Sequence, residues 1–90
     1  MNPTRARKLL RAQVRSGRVR FTDYCALRMI QRGVQAVEVF DLLSKAPVCH
    51  LQANGRWRVP GLELTVIVEL VEAAVVVTLF RGDEDEEDES

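Results

Sequence analysis

The apolar residues of this 90-residue chain change their spacing at Pro47, and that change decides the class of fold. Before Pro47 the apolar side chains recur every three or four residues, which is the period of an amphipathic helix. After Pro47 they alternate with polar side chains, which is the period of a strand with one buried face. Proline also ends a preceding helix, because it lacks an amide hydrogen and restricts the residue before it. The sequence therefore predicts a helical first half followed by a sheet.

Three helices are predicted before Pro47, at residues 4–16, 23–32 and 35–45, with residues 18–21 as a short connector. Thr22 is a good N-cap for the second helix, and Gly33 follows its basic last turn as a C-terminal stop. On a helical wheel, one broad face of this helix is apolar and is expected to point to the core. The predicted inward residues are Cys25, Ala26, Leu27, Met29 and Ile30, and the predicted outward residues are Tyr24, Arg28, Gln31 and Arg32.

Asn54-Gly55 is a strong signal for a two-residue hairpin turn, here between strands predicted at residues 48–53 and 56–59. Further strands are predicted at residues 62–70 and 75–80. On the hairpin, Trp57 is expected to point into the core, with Arg56 and Arg58 on the opposite face. Helices followed by strands predict an α+β fold, with two to three N-terminal helices packed on a three- to four-stranded antiparallel sheet. Residues 1–82 are expected to form one domain, and residues 83–90 a disordered acidic tail.

The formal net charge of zero hides a strong asymmetry, because seven of the thirteen acidic residues lie within residues 83–90. The rest of the chain carries thirteen Lys and Arg against six Asp and Glu. Within residues 1–35 there are eight arginines and one lysine, and Asp23 is the only acid. A basic half of this kind indicates contact with nucleic acid or another polyanion. The acidic segment could fold back over the basic helices, mimic nucleic acid toward a partner, or simply solubilise the chain.

The stretch from Tyr24 to Val34 resembles the signature helix of a bacterial family, domain of unknown function 4258. That family shows a His-Ala-x-x-Arg-Met-x-x-Arg-Gly-Ile helix, a second helix, a glycine-rich hairpin and a last strand of the Val-Ile-Thr-Val type. The residues that match are Arg28, Met29, Arg32, Gly33, Val34, Gly55 and the segment 76–79. Tyr24 stands where the family has histidine. The family is in turn similar in architecture to the RelE-like and barnase-like small ribonucleases.

The resemblance implies a toxin-like protein that interacts with RNA, with an antitoxin as a further partner. On this hypothesis Tyr24, Arg28 and Arg32 form the catalytic group, and Arg28, Arg32, Arg56 and Arg58 hold phosphates. Arginine suits phosphate because its planar guanidinium matches the geometry of the oxygens. If the chain is an enzyme, it is expected to be a metal-independent endoribonuclease in which Tyr24 serves as the acid, since no convincing general base is apparent.

Two other interpretations stay open at this point. Arg28 and Arg32 could be structural, forming ion pairs with Glu38 or Asp41 on the next helix while Tyr24 packs beside them. The chain could also be a non-catalytic interaction module that docks a partner protein through a sheet edge or through the basic first helix. An exposed strand edge would equally allow a homodimer.

The cysteine and histidine pattern predicts no metal site and no cofactor. Cys25 and Cys49 are too far apart for a redox or zinc-binding pair, and neighbours on a strand, such as Cys49 and His50, point to opposite faces. Cys25 and His50 could meet in space as a catalytic pair, but no third residue orients them. The chain shows no signal peptide and no membrane span, and we expect it to be cytoplasmic.

Overall fold

The computed structural model describes residues 1–81 as three helices and one five-stranded sheet, an α+β fold as predicted. The elements in chain order are α1 Pro3–Arg15, β1 Val19–Phe21, α2 Asp23–Arg32, α3 Ala36–Lys45, β2 His50–Leu51, β3 Trp57–Pro60, β4 Leu64–Leu70 and β5 Ala74–Arg81. The predicted acidic tail, residues 83–90, lies outside the described residues. Within residues 1–81 no helix is long and apolar enough to cross a membrane.

Local signals fix the ends of α2 and α3. The Thr22 hydroxyl accepts a hydrogen bond from the Cys25 amide at 3.0 Å, which caps the N-terminus of α2. Gly33 ends α2 with a φ of 67°, a left-handed conformation that glycine adopts without a steric penalty. The Glu38 carboxylate accepts from the Gln35 amide at 2.9 Å and so satisfies a free donor at the start of α3. Both helices therefore begin and end close to the predicted positions.

The sheet has five strands in the order β1-β5-β4-β3-β2, and it is mixed. The pairs β2–β3, β3–β4 and β4–β5 are antiparallel, as predicted. The predicted connector at residues 18–21 is wrong, because β1 pairs in parallel with residues 74–76 of β5. Its three residues are too few to show a period of their own, and their partner lies more than 50 residues away in the chain.

The helices and one face of the sheet, here called the inner face, share a single apolar core. Trp57 and Val59 are 4% and 0% exposed, so the predicted orientation of the hairpin is confirmed. The core residues from the helices include Ala6, Leu10, Cys25, Met29, Val39 and Leu43, and those from the sheet include Trp57, Val59, Val66, Val68, Val76 and Leu79.

The edge of β5 that faces α2 has a partner strand for only part of its length. From the carbonyl of Val76 onward, three donors on Thr22 and Arg28 take over from β1. The Thr22 amide donates to the Val76 carbonyl at 3.1 Å, and the Thr22 hydroxyl donates to the Val77 carbonyl at 2.9 Å. Further along, the Arg28 guanidinium donates to the Leu79 carbonyl at 3.2 Å. Helix α2 therefore lies along the open edge of β5 and satisfies its carbonyls.

Part of the predicted orientation of α2 is wrong, because α2 lies along the edge of β5. Cys25 and Met29 are buried as predicted, but Ala26 is exposed, Leu27 and Ile30 are 52% and 79% exposed, and Arg28 is only 8% exposed. The physical reason is that a helix beside a sheet edge contacts the inner face through one stripe and the edge through the next. The side chain that meets the edge must donate hydrogen bonds to backbone carbonyls, and arginine does so where leucine could not.

We predict that Thr22→Val destabilises the protein by about 2 kcal/mol, because it removes a helix cap and leaves the Val77 carbonyl without its donor. Valine has nearly the shape of threonine, so packing changes little. The measurement is the free energy of unfolding from urea denaturation. Thr22→Ser keeps the hydroxyl and is the control, expected to lose much less; equal losses in the two variants would contradict the role assigned to the hydroxyl.

Candidate functional site

The face of the sheet opposite the helices, here called the outer face, holds a row of buried side chains. Strand register places Arg58, Ile67 and Thr78 side by side across β3, β4 and β5, with Thr65 and Phe80 in the next row. Ile67 is fully buried and the other members of β4 and β5 named here are at most 6% exposed. Ile67 and Phe80 do not belong to the core that the helices share with the inner face. The outer face is therefore a separate, partly apolar surface.

A bulge in β5 determines which residues of this strand reach the outer face. Val68 pairs with Val76, whereas its neighbour Ile67 pairs with Thr78, so Val77 has no partner on β4. The extra residue shifts the alternation of faces. Val76 consequently points to the core, while Thr78 and the residue after next, Phe80, point outward.

Arg58 extends across the outer face to Phe80. Its Cζ atom lies 5.3 Å from the centroid of the Phe80 ring, which is within the range of a cation–π interaction. Arg58 belongs to β3 and Phe80 to β5, so the side chain spans the intervening strand β4. The guanidinium of Arg58 thus lies against the side chain of a β5 residue.

Arg28 reaches the same place from α2. Its Nη2 donates to the Leu79 carbonyl at 3.2 Å, its Nη1 lies 3.5 Å from the Tyr24 hydroxyl, and its Cζ is 5.8 Å from the Tyr24 ring centroid. The Nε atom is buried and has no hydrogen-bond partner. No carboxylate among residues 1–81 forms an ion pair with Arg28. Arg28 is therefore a buried cation held by neutral oxygens alone, an unusual and costly arrangement.

Two guanidinium groups thus contact consecutive residues of β5: Arg28 the carbonyl of Leu79, and Arg58 the ring of Phe80. Tyr24, half exposed, stands beside Arg28 with its hydroxyl next to the guanidinium. The structure therefore brings three of the predicted site residues, Tyr24, Arg28 and Arg58, to the border between α2 and the outer face.

The other two predicted residues lie at the margins of this border. Arg32 follows Arg28 by one helical turn and is half-buried, and its backbone carbonyl accepts from Arg81 at 3.2 Å. Arg56 precedes β3 and is two residues before Arg58, which places both on the same face. Its backbone amide donates to the Asn54 side chain at 3.0 Å within the hairpin turn.

The ion pairs proposed from the sequence for Arg28 do not form. Glu38 lies 3.7 Å from Arg81, and Asp41 lies 3.3 Å from Lys45 on its own helix. Arg81 also donates to the carbonyls of Arg32 and Gly33, so it joins the end of α2 to the end of β5. The structural role that the sequence suggested for an arginine next to Glu38 belongs to Arg81.

The cysteines and the histidine do not form a catalytic pair. Cys25 lies on α2 beside β5, whereas His50 lies on β2 at the far edge of the sheet. Burial raises the pKa of the Cys25 thiol from 9.0 to about 11, against the smaller lowering effect of Arg28. Burial likewise raises the pKa of the Cys49 thiol. Within residues 1–81 no cluster of His, Cys, Asp and Glu could hold a metal ion.

Two residues were not predicted from the sequence to contribute to the outer face. Phe80 lies under Arg58, and the bulge that sends it there has no sequence signal of its own. His50 pairs with Arg58 across β2 and β3, so its side chain also belongs to the outer face. Strand alternation from Trp57 predicted the face of Arg58, but its pairing with His50 depends on the register of the hairpin.

Comparison of the chain with protein-family models, curated proteins and solved structures found no match. The resemblance to domain of unknown function 4258 stays a prediction.

We predict that the stability of the protein falls as the pH rises from about 9 toward 11. The raised pKa of the Cys25 thiol means that the folded state holds a proton which the unfolded state releases in this range. The stabilisation of the folded state by this proton is complete below pH 9 and is lost as the pH approaches the pKa of the folded state. Urea denaturation at a series of pH values measures the slope, and Cys25→Ala should make it shallower. Parallel profiles for the two proteins would contradict the assignment.

Proposed function

We propose that this protein binds the phosphates of RNA at the border between α2 and the outer face. Arg28 and Arg58 would contact phosphate oxygens directly, with Arg32 and Arg56 at the margins. The observation that carries the proposal is the state of Arg28, which is buried, has no carboxylate partner within residues 1–81, and keeps one donor without an acceptor.

A buried cation at the position of Arg28 has an energetic cost. Removing a charge from water without an opposite charge costs several kcal/mol, and a neutral hydrophobic side chain at the same place is often no less stable. The carbonyl of Leu79 and the hydroxyl of Tyr24 offset part of this cost by accepting hydrogen bonds. An anionic ligand beside the guanidinium would supply the opposite charge that the fold does not provide. Arg28 therefore suits an anion-binding role better than a purely structural one.

The charge distribution favours a polyanion over a small anion. Thirteen Lys and Arg against six Asp and Glu precede residue 82, so this part of the chain is basic as a whole. Arg56 directly precedes β3 and Arg58 lies within it, so the two residues are about 7 Å apart along the chain. Several cations at such spacing fit successive phosphates of one strand better than one isolated phosphate.

The same residues define what the site could do to RNA. Attack by a 2′-hydroxyl needs a base, an acid for the leaving oxygen and cations for the charge on phosphorus. Tyr24 offers a hydroxyl as the acid, and the arginines offer the cations. No carboxylate among residues 1–81 pairs with Arg28, so none stands beside it as a base. His50 offers an imidazole on the outer face beside Arg58. We therefore propose binding as the function and metal-independent cleavage as a separate activity to be tested.

We predict salt-dependent binding of single-stranded RNA, in which Arg28→Met and Arg58→Gln each reduce the log–log salt slope by roughly 0.7. Fluorescence anisotropy of a labelled oligonucleotide across a salt series measures the slope. Arg5→Gln removes an exposed charge from α1, away from the outer face, and is the matched control with an unchanged slope expected. Affinity that is independent of salt, or an Arg5 variant as impaired as the other two, would refute the proposal. Thermal unfolding of each variant checks the fold.

Cleavage is tested on the same oligonucleotide by following its products. Tyr24→Phe removes the hydroxyl and keeps the ring beside Arg28, so it should retain affinity while losing any cleavage. A wild-type protein that binds without producing fragments is a binding protein.

A second candidate function is self-association through α2, and one observation favours it. Leu27 and Ile30 lie three residues apart on α2 and are largely exposed. Helix α2 has Asp23 in its first turn and Arg32 in its last turn, so two copies packed antiparallel would oppose unlike charges and unlike ends of the helix dipole. Docking through a sheet edge is less favourable, because the edge strands β1 and β2 have only three and two residues.

If α2 forms this interface, the wild-type protein is a dimer at micromolar concentration, and Ile30→Glu or Leu27→Glu makes it monomeric. Light scattering after size-exclusion chromatography measures the mass. Leu62→Glu changes a fully exposed leucine on the β3–β4 turn and should leave the dimer intact. A monomeric wild-type protein at every concentration tested would exclude this candidate.

A further inference from the structure

A cavity of about 570 Å³ opens where β1 lies beside the start of β5. It is lined by residues 17–20, by residues 71–73 of the turn between β4 and β5, and by Val75. Ligand sites in proteins commonly have volumes of about 300 to 1,000 Å³, so a small molecule fits this space. None of the arginines of the proposed RNA site lines the cavity. It is therefore a separate candidate site.

Hydrogen bonds hold the two walls of the cavity together. The buried residue Gln13 of α1 contacts both walls, because its backbone carbonyl accepts from the Arg18 amide at 2.8 Å and its Nε2 donates to the Glu72 carbonyl at 3.5 Å. Between the walls, the Ala74 amide donates to the Arg18 carbonyl at 3.0 Å. The backbone that forms the cavity is thus fixed by the fold itself.

Two arginines bring positive charge to the cavity. Val19 and Phe21 pack against the core, so the alternation of a strand places Arg18 and Arg20 on the opposite side, the outer face. Both arginines are exposed, and neither forms an ion pair with a carboxylate of residues 1–81. Within this part of the chain Glu72 is the only acid in the lining, which leaves an excess of one positive charge. The cavity therefore favours an anion.

A second cavity, of about 460 Å³ between α3 and the β3–β4 turn, provides a comparison. It is also lined by two cations, but each of them has a carboxylate partner. Lys45 lies 3.3 Å from Asp41, and Arg81 lies 3.7 Å from Glu38. The fold compensates these charges, whereas within the described residues it does not compensate those of the first cavity. An anion consequently gains more at the first cavity.

The apolar part of the lining indicates what the anion carries. Two guanidinium groups suit a phosphate, which has three oxygens to share, better than a carboxylate, whose two oxygens one arginine already satisfies. A phosphate alone fills only a small part of the cavity. Val71 is 61% exposed, and Val75, which pairs with Arg20, is half-buried. These side chains offer an apolar contact to a body attached to the phosphate.

We propose that this cavity binds a nucleotide, with the phosphate held by Arg18 and Arg20 and one face of the base against Val71 and Val75. Glu72 offers a carboxylate to the amino group of a base such as cytosine. The same chemistry recognises a free nucleotide and one nucleotide of an RNA strand, and the experiment distinguishes the two. The inference goes beyond the proposed function and does not depend on it.

The experiment is a calorimetric titration of the full chain with cytidine 5′-monophosphate, which is expected to bind saturably below millimolar concentration. Cytidine and inorganic phosphate each lack one of the two contacts and should bind at least about tenfold more weakly. Arg18→Gln and Arg20→Gln each remove a charged donor and should weaken nucleotide binding about tenfold. Arg5→Gln removes an exposed charge outside the lining and is the control, with unchanged affinity expected. Thermal unfolding checks the fold of each variant.

Two results would overturn the inference. One is nucleotide binding no tighter than that of cytidine or phosphate, and the other is binding that both arginine substitutions leave unchanged. RNA affinity of the same variants then separates the two sources of the ligand. A loss of RNA affinity in Arg20→Gln assigns the cavity to a nucleotide of an RNA strand, and an unchanged RNA affinity assigns it to a free nucleotide.

The proposed function and this inference can fail separately. Nucleotide binding by a protein that binds no RNA removes the proposed function and leaves the inference standing. RNA binding by a protein that binds no cytidine 5′-monophosphate overturns the inference and leaves the proposed function standing.

Discussion

The open edge of β5 is the constraint on which the arrangement of this protein depends. On one side β5 pairs with β4 along its whole length, whereas on the other side β1 covers only residues 74–76. The remaining carbonyls would face solvent or another chain, and unpaired edges of this kind favour aggregation. Thr22 and Arg28 satisfy them instead. Helix α2 thus completes the edge of the sheet, and this places Arg28 in a buried position against the Leu79 carbonyl. A helix that packed only on the face of the sheet would have an apolar residue at a buried position.

Features of the fold that arise from neighbouring residues could be predicted from the sequence. The cap at Thr22, the stop at Gly33 and the turn at Asn54-Gly55 are local signals, and the structure has an element boundary at each. Strand β1 could not be predicted, because it consists of three residues whose pairing is decided at the other end of the chain. The predicted orientation of α2 is correct only in part, for a related reason. The hydrophobic period assumes that one side of a helix meets protein and the other meets water, and a helix at a sheet edge has two protein-facing stripes.

In the candidate site, too, some contacts follow from neighbouring residues and others depend on distant ones. Tyr24 and Arg28 come together because they are one turn apart, which the sequence contains. Arg58 joins them through Phe80, and that contact depends on the bulge at Val77. Without the bulge, Val76, Thr78 and Phe80 would share one face, and either Phe80 would enter the core or Val76 would leave it. The convergence of arginines is therefore a consequence of a single extra residue in one strand, which alternation of apolar and polar positions does not reveal.

Arg28 and Arg81 provide an internal comparison between two uses of one residue type. Both lie where α2 meets β5, and both donate to backbone carbonyls across that junction. Arg81 also pairs with the Glu38 carboxylate, so its charge is compensated by the fold. Arg28 is more deeply buried and has the Tyr24 hydroxyl in place of a carboxylate. Position 24 is one turn from Arg28, where an acidic side chain could reach the guanidinium as Glu38 reaches Arg81. Arg28 thus satisfies the Leu79 carbonyl as Arg81 satisfies those of Arg32 and Gly33, but only Arg81 has a carboxylate partner among residues 1–81, and this difference supports the proposed anion-binding role of Arg28.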